Sequence, residues 1–185
     1  KHKGFDIVRI VAVIPARMAS SRFFGKPMVA IHGMPMIGHC YSRVRLCDAL
    51  SDTYVATCDQ EIFEYIETIG GKAVMTANTH ERASDRAAEA MLKIEEVCGL
   101  KTDILVMVQG DEPMDTPDMI SEALAPMLVD DSVQIVNLMG RIESLTEFED
   151  PNTVKVVVGS DGNAIYFSRE PIPSRKKGVS DVEML

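Results

Sequence analysis

The chain has 185 residues, 46% of them hydrophobic and 25% charged, and a formal net charge of -9. That length suits one domain with a packed core, 1–185, and the acidic balance excludes general nucleic-acid binding, which needs a broad basic face. No apolar run nears the length that spans a bilayer, so no membrane insertion and a cytoplasmic location are expected.

The first apolar run, Ile7 to Val13, predicts a buried strand; Asp6 and Arg9 interrupt it too early for a signal peptide. It feeds Ile14 to Pro27, IPARMASSRFFGKP, in which Gly25, two serines and two prolines forbid a long helix. Arg17, Arg22 and Lys26 gather three cations in that loop. Backbone amides in such a turn can ring a phosphate while cations neutralise it. The segment matches neither a Walker loop nor a dinucleotide fingerprint. Its place at the carboxyl end of a strand, where open α/β sheets bind ligands, favours an anion site over a solvated basic loop.

A turn at His32-Gly33 precedes a helix predicted from Pro35 to about Leu50, with Met36, Ile37, Cys40, Val44 and Leu46 or Cys47 on its apolar face. Asp52 to Thr57 reads as a strand, and Asp59 as the cap of a helix from Gln60 to Ile69 that Gly70-Gly71 stops. A short strand, Lys72 to Met75, leads through TANTHERASDR into a helix from Ser84 to Cys98. Asp103 to Val108 is a buried strand ending at QGDEP, and Thr116-Pro117 opens a helix to about Leu128. Val133 to Met139 reads as a further strand, and Ser144 to Glu149 as a short helical piece. Thr153–Val158 and Ala164–Ser168 read as a hairpin across Ser160-Asp161-Gly162-Asn163. Strands alternating with helices imply βαβ units and a mainly parallel sheet. Cys40, Cys47, Cys58 and Cys98 form no CxxC pair, which favours free thiols.

Two loops then stand at strand ends that face one crevice: the basic loop and QGDEP. Asp111 is placed to hold Mg2+, which takes one or two carboxylates and completes its shell with phosphates and water; the alternative is that Asp111 and Glu112 cap the next helix. Ser84 or Asp85 could cap its helix with Arg86 solvated in the first turn. Arg169, at the end of Tyr166-Phe167-Ser168, could fork onto a carboxylate or lie on an edge.

With these stretches in view the chain resembles the 3-deoxy-manno-octulosonate cytidylyltransferases, also called CMP-KDO synthetases. IPARMASSRFFGKP resembles the family's nucleotide loop, VATCDQEI its second strand end, and MTANTHERASDRAAEA its base-and-ribose segment. VQGDEP resembles its metal loop, and NTVKVV with AIYFSREPIP its sugar-side hairpin. The resemblance implies a Rossmann-like nucleotide-diphosphosugar transferase fold, a mainly parallel mixed sheet flanked by helices with a β-hairpin on the sugar side. It implies coupling of CTP to a 3-deoxy-2-ulosonic acid in a homodimer, with Mg2+ as cofactor and a product bound for lipopolysaccharide or a related surface glycan. The other readings are a related nucleotidyltransferase with another acid or nucleotide, and a CTP-binding module without turnover.

Carried over, the resemblance assigns Pro15, Ala16, Arg17, Ser21, Arg22 and Lys26 to the triphosphate, with Arg17, Lys26 and Asp111 as the catalytic set and Asp111 as the metal ligand. Ala77 and Arg86, with His80, fall near the nucleoside, and Gln109 and Arg169 near the sugar acid. Departures from the family pattern are Phe24 where Pro is usual, Arg82-Ala83-Ser84 where Ser-Gly-Thr is usual, and Cys58 where Asp is common. Family members continue for some tens of residues past the position of Leu185.

Overall fold

The computed structural model describes residues 8–19 and 23–174. These fall into two compact units divided between Val136 and Asn137.

The first unit is built on β1, Ile10–Ala16, all seven residues of which are buried. Strand alternation sends Ile10, Ala12, Ile14 and Ala16 to one face and Val11 and Val13 to the other, and both faces are covered. On the first face lie α1 (Met36–Val44), α2 (Gln60–Thr68) and α4 (Pro117–Val129), through Ile37, Ile62, Ile66, Ile120 and Leu124. On the second lies α3 (Ala83–Cys98), through Ala87, Ala90 and Ile94. Each fully buried Val or Ile contributes on the order of 1.5–3 kcal/mol, so this strand is the energetic spine of the unit.

β1 pairs in parallel with β4 (Asp52–Thr57) on one side and β6 (Ile104–Met107) on the other; β5 (Ala73–Met75) pairs in parallel with β4. Two residue pairs, Ala30–Ile31 (β2) and Met34–Pro35 (β3), form a small antiparallel ladder before α1. The main sheet order is β5-β4-β1-β6. The chain therefore winds outward from β1 through β4 to β5, then crosses back to the other side of β1. That reversal is a topological switch point, and it lies between β1 and β6. Gly110 sits there against β1: a Cβ on it would stand 2.6 Å from the Pro15 carbonyl oxygen.

Three expectations differ from the structure. β1 runs on through Ile14, Pro15 and Ala16, expected to begin the loop, because these residues stay in register with Val55, Ala56 and Thr57 of β4. α1 ends at Val44, short of Leu50: bonds from Cys47 N–H to Val44 O and Leu50 N–H to Cys47 O turn the chain, and Ser51 N–H donates to Ile10 O at 2.7 Å. The helix has to stop for β4 to lie beside β1; Cys47 is buried by the turn and Leu46 is exposed. Val133 to Met139 forms no strand among the described residues, and Ile135 stays 81% exposed. Alternation tells which face a strand would bury, but a ladder also needs a partner edge.

The second unit holds α5 (Leu145–Glu149), with Ser144 Oγ accepting from Glu147 N–H, and the antiparallel pair β7 (Lys155–Val158) and β8 (Ala164–Ser168). Its turn is the one expected at Asp161-Gly162, with Gly162 at φ 82° and Gly159 N–H donating to Asn163 O. Lys155 is buried and its Nζ donates to three carbonyls, those of Asp150, Thr153 and Arg169. None of the helices among the described residues is long and apolar enough to cross a membrane.

Candidate active site

Because β1, β4, β5 and β6 are parallel, their carboxyl ends open on one side of the sheet, and three loops meet there. The first leaves β1. Ala16 lies opposite Thr57 in the ladder, so the residues two beyond each, Met18 and Asp59, also meet: Met18 N–H donates to Asp59 Oδ2 at 2.8 Å. Asp59 occupies the N-cap position of α2 as expected, but its side chain makes no capping bond; the carboxylate serves the neighbouring loop instead. Gly25 closes that loop, donating to Met18 O at 2.9 Å, and with φ 75° it starts the short 3-10 turn Lys26–Met28. Phe24 is 72% exposed, so the turn in which Pro was expected is held by the Gly25 backbone bonds. Pro15 and Ala16 are buried at the strand end and Arg17 is exposed. Ser21 and Arg22 lie outside the described residues.

The second loop leaves β6. Lys26 Nζ donates to Asp111 Oδ2 at 2.7 Å, joining the first loop to the second. Their side chains are 39% and 49% exposed, and a pair this open contributes at most about 1 kcal/mol to stability. Its value lies in holding a cation and a carboxylate together at a cleft. Behind it the Cys40 thiol donates to Gly110 O at 3.5 Å; burial, then the Asp111 and Asp115 charges, push its pKa up to about 11, so it stays a neutral packing group.

The third loop, 76–82, leaves β5. Thr76 is buried and accepts from Arg86 Nη1. Arg86 is 2% exposed, and its Nη2 is buried with no hydrogen-bond partner. No ion pair of Arg86 occurs among the described residues. The solvated first-turn alternative is thereby set aside, and neither Ser84 nor Asp85 caps α3, which starts at Ala83 after Arg82. A buried guanidinium with an idle donor costs several kcal/mol, so this arrangement makes physical sense where an acceptor arrives from outside the chain. Ala77 is exposed, and its N–H is taken by both carboxylate oxygens of Glu89 at 3.2 and 3.0 Å. Glu89 also binds His80 Nε2 and, at 2.8 Å, Lys93 Nζ. Spacing did not single out Glu89; the signal available was its i,i+4 relation to Lys93 beneath a loop carrying His80.

Together the loops enclose a cleft of about 320 Å3 lined by Pro15, Ala16, Arg17, Lys26, His80, Arg82, Arg86, Gln109 and Asp111, among others. Its lining carries four permanent cations, Arg17, Lys26, Arg82 and Arg86, against the two carboxylates of Glu81 and Asp111. Arg17 Nη1 reaches the His80 carbonyl at 3.5 Å, the long end of hydrogen bonding. The structure thus brings together Pro15, Ala16, Arg17, Lys26, Arg86, Gln109 and Asp111, and leaves Ala77 outside the lining. Arg169 belongs to the second unit, where Nη1 donates to Pro151 O at 2.9 Å.

A cation-rich cleft at the switch point of a parallel sheet, with one lysine–aspartate pair at its mouth, defines a nucleotide-handling α/β protein of the nucleotidyltransferase class. The family model described as cytidylyltransferase matches residues 11–183. A 3-deoxy-manno-octulosonate cytidylyltransferase from Geobacter metallireducens is 43% identical over 176 residues, 95% of this chain and 67% of that protein. One from Escherichia coli is 42% identical over 165 residues, 89% and 64% of the two. A solved structure of CMP:2-keto-3-deoxy-manno-octonic acid synthetase complexed with CTP superposes with a TM-score of 0.80 at 38% identity, covering 94% of this chain and 69% of that one. The chain belongs to the 3-deoxy-manno-octulosonate cytidylyltransferase family, and it spans about two thirds of the length of the curated relatives it matches.

Arg86→Met is expected to leave thermal stability unchanged or raised, since it removes an unpaired buried charge, while CTP affinity falls at least about tenfold. Calorimetric titration beside a melting curve checks this; a large loss of stability contradicts it. The Glu89 carboxyl is held down to about 2, against 4.5 unperturbed, by the bond from Lys93 first, then the Ala77 N–H and His80. Since the native pKa is depressed, this stabilisation is complete above 4.5 and is lost as pH falls towards 2. The melting-temperature gap between wild type and Glu89→Gln should therefore be constant from pH 7 to about 5 and close below that; a gap unaltered at low pH contradicts it.

Proposed function

We propose that this chain couples CTP to 3-deoxy-manno-octulosonate, giving the CMP-sugar acid and pyrophosphate. The observation that carries the reading is the Lys26–Asp111 pair, poised at 2.7 Å and half open to solvent, in a cleft with a net excess of cations. Arg17 and Lys26 neutralise the triphosphate. The sugar's anomeric hydroxyl attacks the α-phosphorus in line, an oxygen–phosphorus bond forming as the bond to the β-phosphate oxygen breaks. The hydroxyl proton passes to water, and the negative charge leaves on pyrophosphate. Catalysis of this kind is mainly positioning and charge stabilisation, which suits a cleft rich in fixed cations.

Among the described residues no three His, Cys, Asp or Glu side chains cluster to hold a metal. Asp111 alone fits Mg2+ as a shared ligand, one carboxylate completed by substrate phosphates and water. When bound, Mg2+ supplies charge neutralisation at the phosphates. Lys26 would then offer its ammonium to the triphosphate. Gln109 is the lining group offered to the sugar acid. The same reading makes the protein a cytoplasmic homodimer that serves lipopolysaccharide or a related surface glycan.

Pyrophosphate release should require CTP, Mg2+ and the sugar acid together, and Lys26→Ala should weaken CTP binding by about 1.5–3 kcal/mol, the scale of a hydrogen bond to a charged group. Release without the acid overturns the reading. Binding of CTP with no turnover under any acid points to a binding module instead.

A further inference from the structure

Arg86, Glu89 and Lys93 are spaced i, i+3 and i+7 along α3, so they lie on one face of the helix. All three reach the same stretch of chain. Arg86 Nη1 donates to Thr76, Glu89 accepts from Ala77 N–H and binds His80, and Lys93 Nζ donates to Met75 O at 2.8 Å while pairing with Glu89. The 75–80 segment is thus hung from a rack of three side chains. Only Arg86 of the three lines the cleft.

Glu89 is the centre of that rack. Its side chain is 24% exposed, yet it serves a backbone amide, an imidazole and an ammonium at once. The segment it holds runs directly into His80, Glu81 and Arg82, which form a wall of the cleft. The wall touches the first loop where Arg17 Nη1 reaches the His80 carbonyl at 3.5 Å, whereas Lys26 and Asp111 pair with each other at 2.7 Å. The Lys26–Asp111 pair is thus held without Glu89, while the wall depends on Glu89 through Ala77 and His80.

We propose that Glu89 is a positioning residue: through Ala77 and His80 it fixes the 80–82 wall for the nucleoside end of the substrate, without touching substrate itself. This rests on the nucleotide reading of the cleft. Glu89→Gln keeps the size and one acceptor oxygen but loses the charge that draws in Lys93 and His80. The wall then loosens while the phosphate end, held by Gly25, Asp59 and Asp111, stays as it is.

Calorimetry with two probes on the whole chain separates local from global effects. For Glu89→Gln the dissociation constant for CTP should rise about tenfold, the usual scale for one charge-assisted hydrogen bond, and that for inorganic triphosphate should stay within about twofold. Lys93→Met, which strips Glu89 of its ammonium partner and Met75 O of one donor but leaves the Glu89 bonds to Ala77 and His80, should shift CTP in the same direction by less. Equal loss of both probes marks a merely structural residue and overturns the proposal, as does unchanged CTP binding in Glu89→Gln. A wild-type chain that binds neither probe overturns the nucleotide reading and this proposal with it, whereas wild-type binding with an indifferent Glu89→Gln overturns this proposal alone.

Discussion

The structure depends on the parallel register of β1 with its two neighbours. β1 is buried on both faces, so it cannot slip by one residue without exchanging Ile10, Ile14 and their partners for Val11 and Val13. With the register fixed, Ala16 must end beside Thr57, and Gly110 must pass against Pro15. The meeting of Met18 with Asp59, and of Lys26 with Asp111, follows from that alignment. A hydrophobic constraint in the core thus places polar groups at the rim, some of them more than eighty residues apart in sequence.

Stability and function separate clearly within this rim. The Lys26–Asp111 pair is too exposed to matter much for folding, and Arg86 carries an idle buried donor that folding alone would select against. Asp59, Glu89 and Gly25 act differently: they spend their polar capacity on backbone groups of the loops. The cleft therefore combines groups left available for a ligand with groups that keep the available ones in place.

Much of this was legible in the sequence because it is local. The apolar run of β1, the Thr116-Pro117 helix start with Thr116 Oγ accepting from Met119 N–H, and the Asp161-Gly162 hairpin all rest on near neighbours. The cation loop and Asp111 were legible as candidates, since strand ends of a parallel sheet share a side. What was not legible depends on sheet order and loop reach. Asp59 looked like a helix cap because its neighbour across the ladder lies 41 residues away. Glu89 was not singled out in the sequence because its partners hang from β5, and Val133–Met139 read as a strand because a run of residues says nothing about a missing edge. Ala77 was expected to face the nucleotide, but the amide it would offer is already taken by Glu89.

The most direct measurement is a crystal structure of this chain soaked with CTP and Mg2+. The triphosphate should lie along the 17–26 loop with Lys26 drawn off Asp111 onto a phosphate, Asp111 facing the ion, and an acceptor of the nucleotide on Arg86 Nη2. Nucleotide bound elsewhere, or bound in the cleft with the Lys26–Asp111 pair intact and Arg86 Nη2 still unpartnered, would contradict the arrangement described.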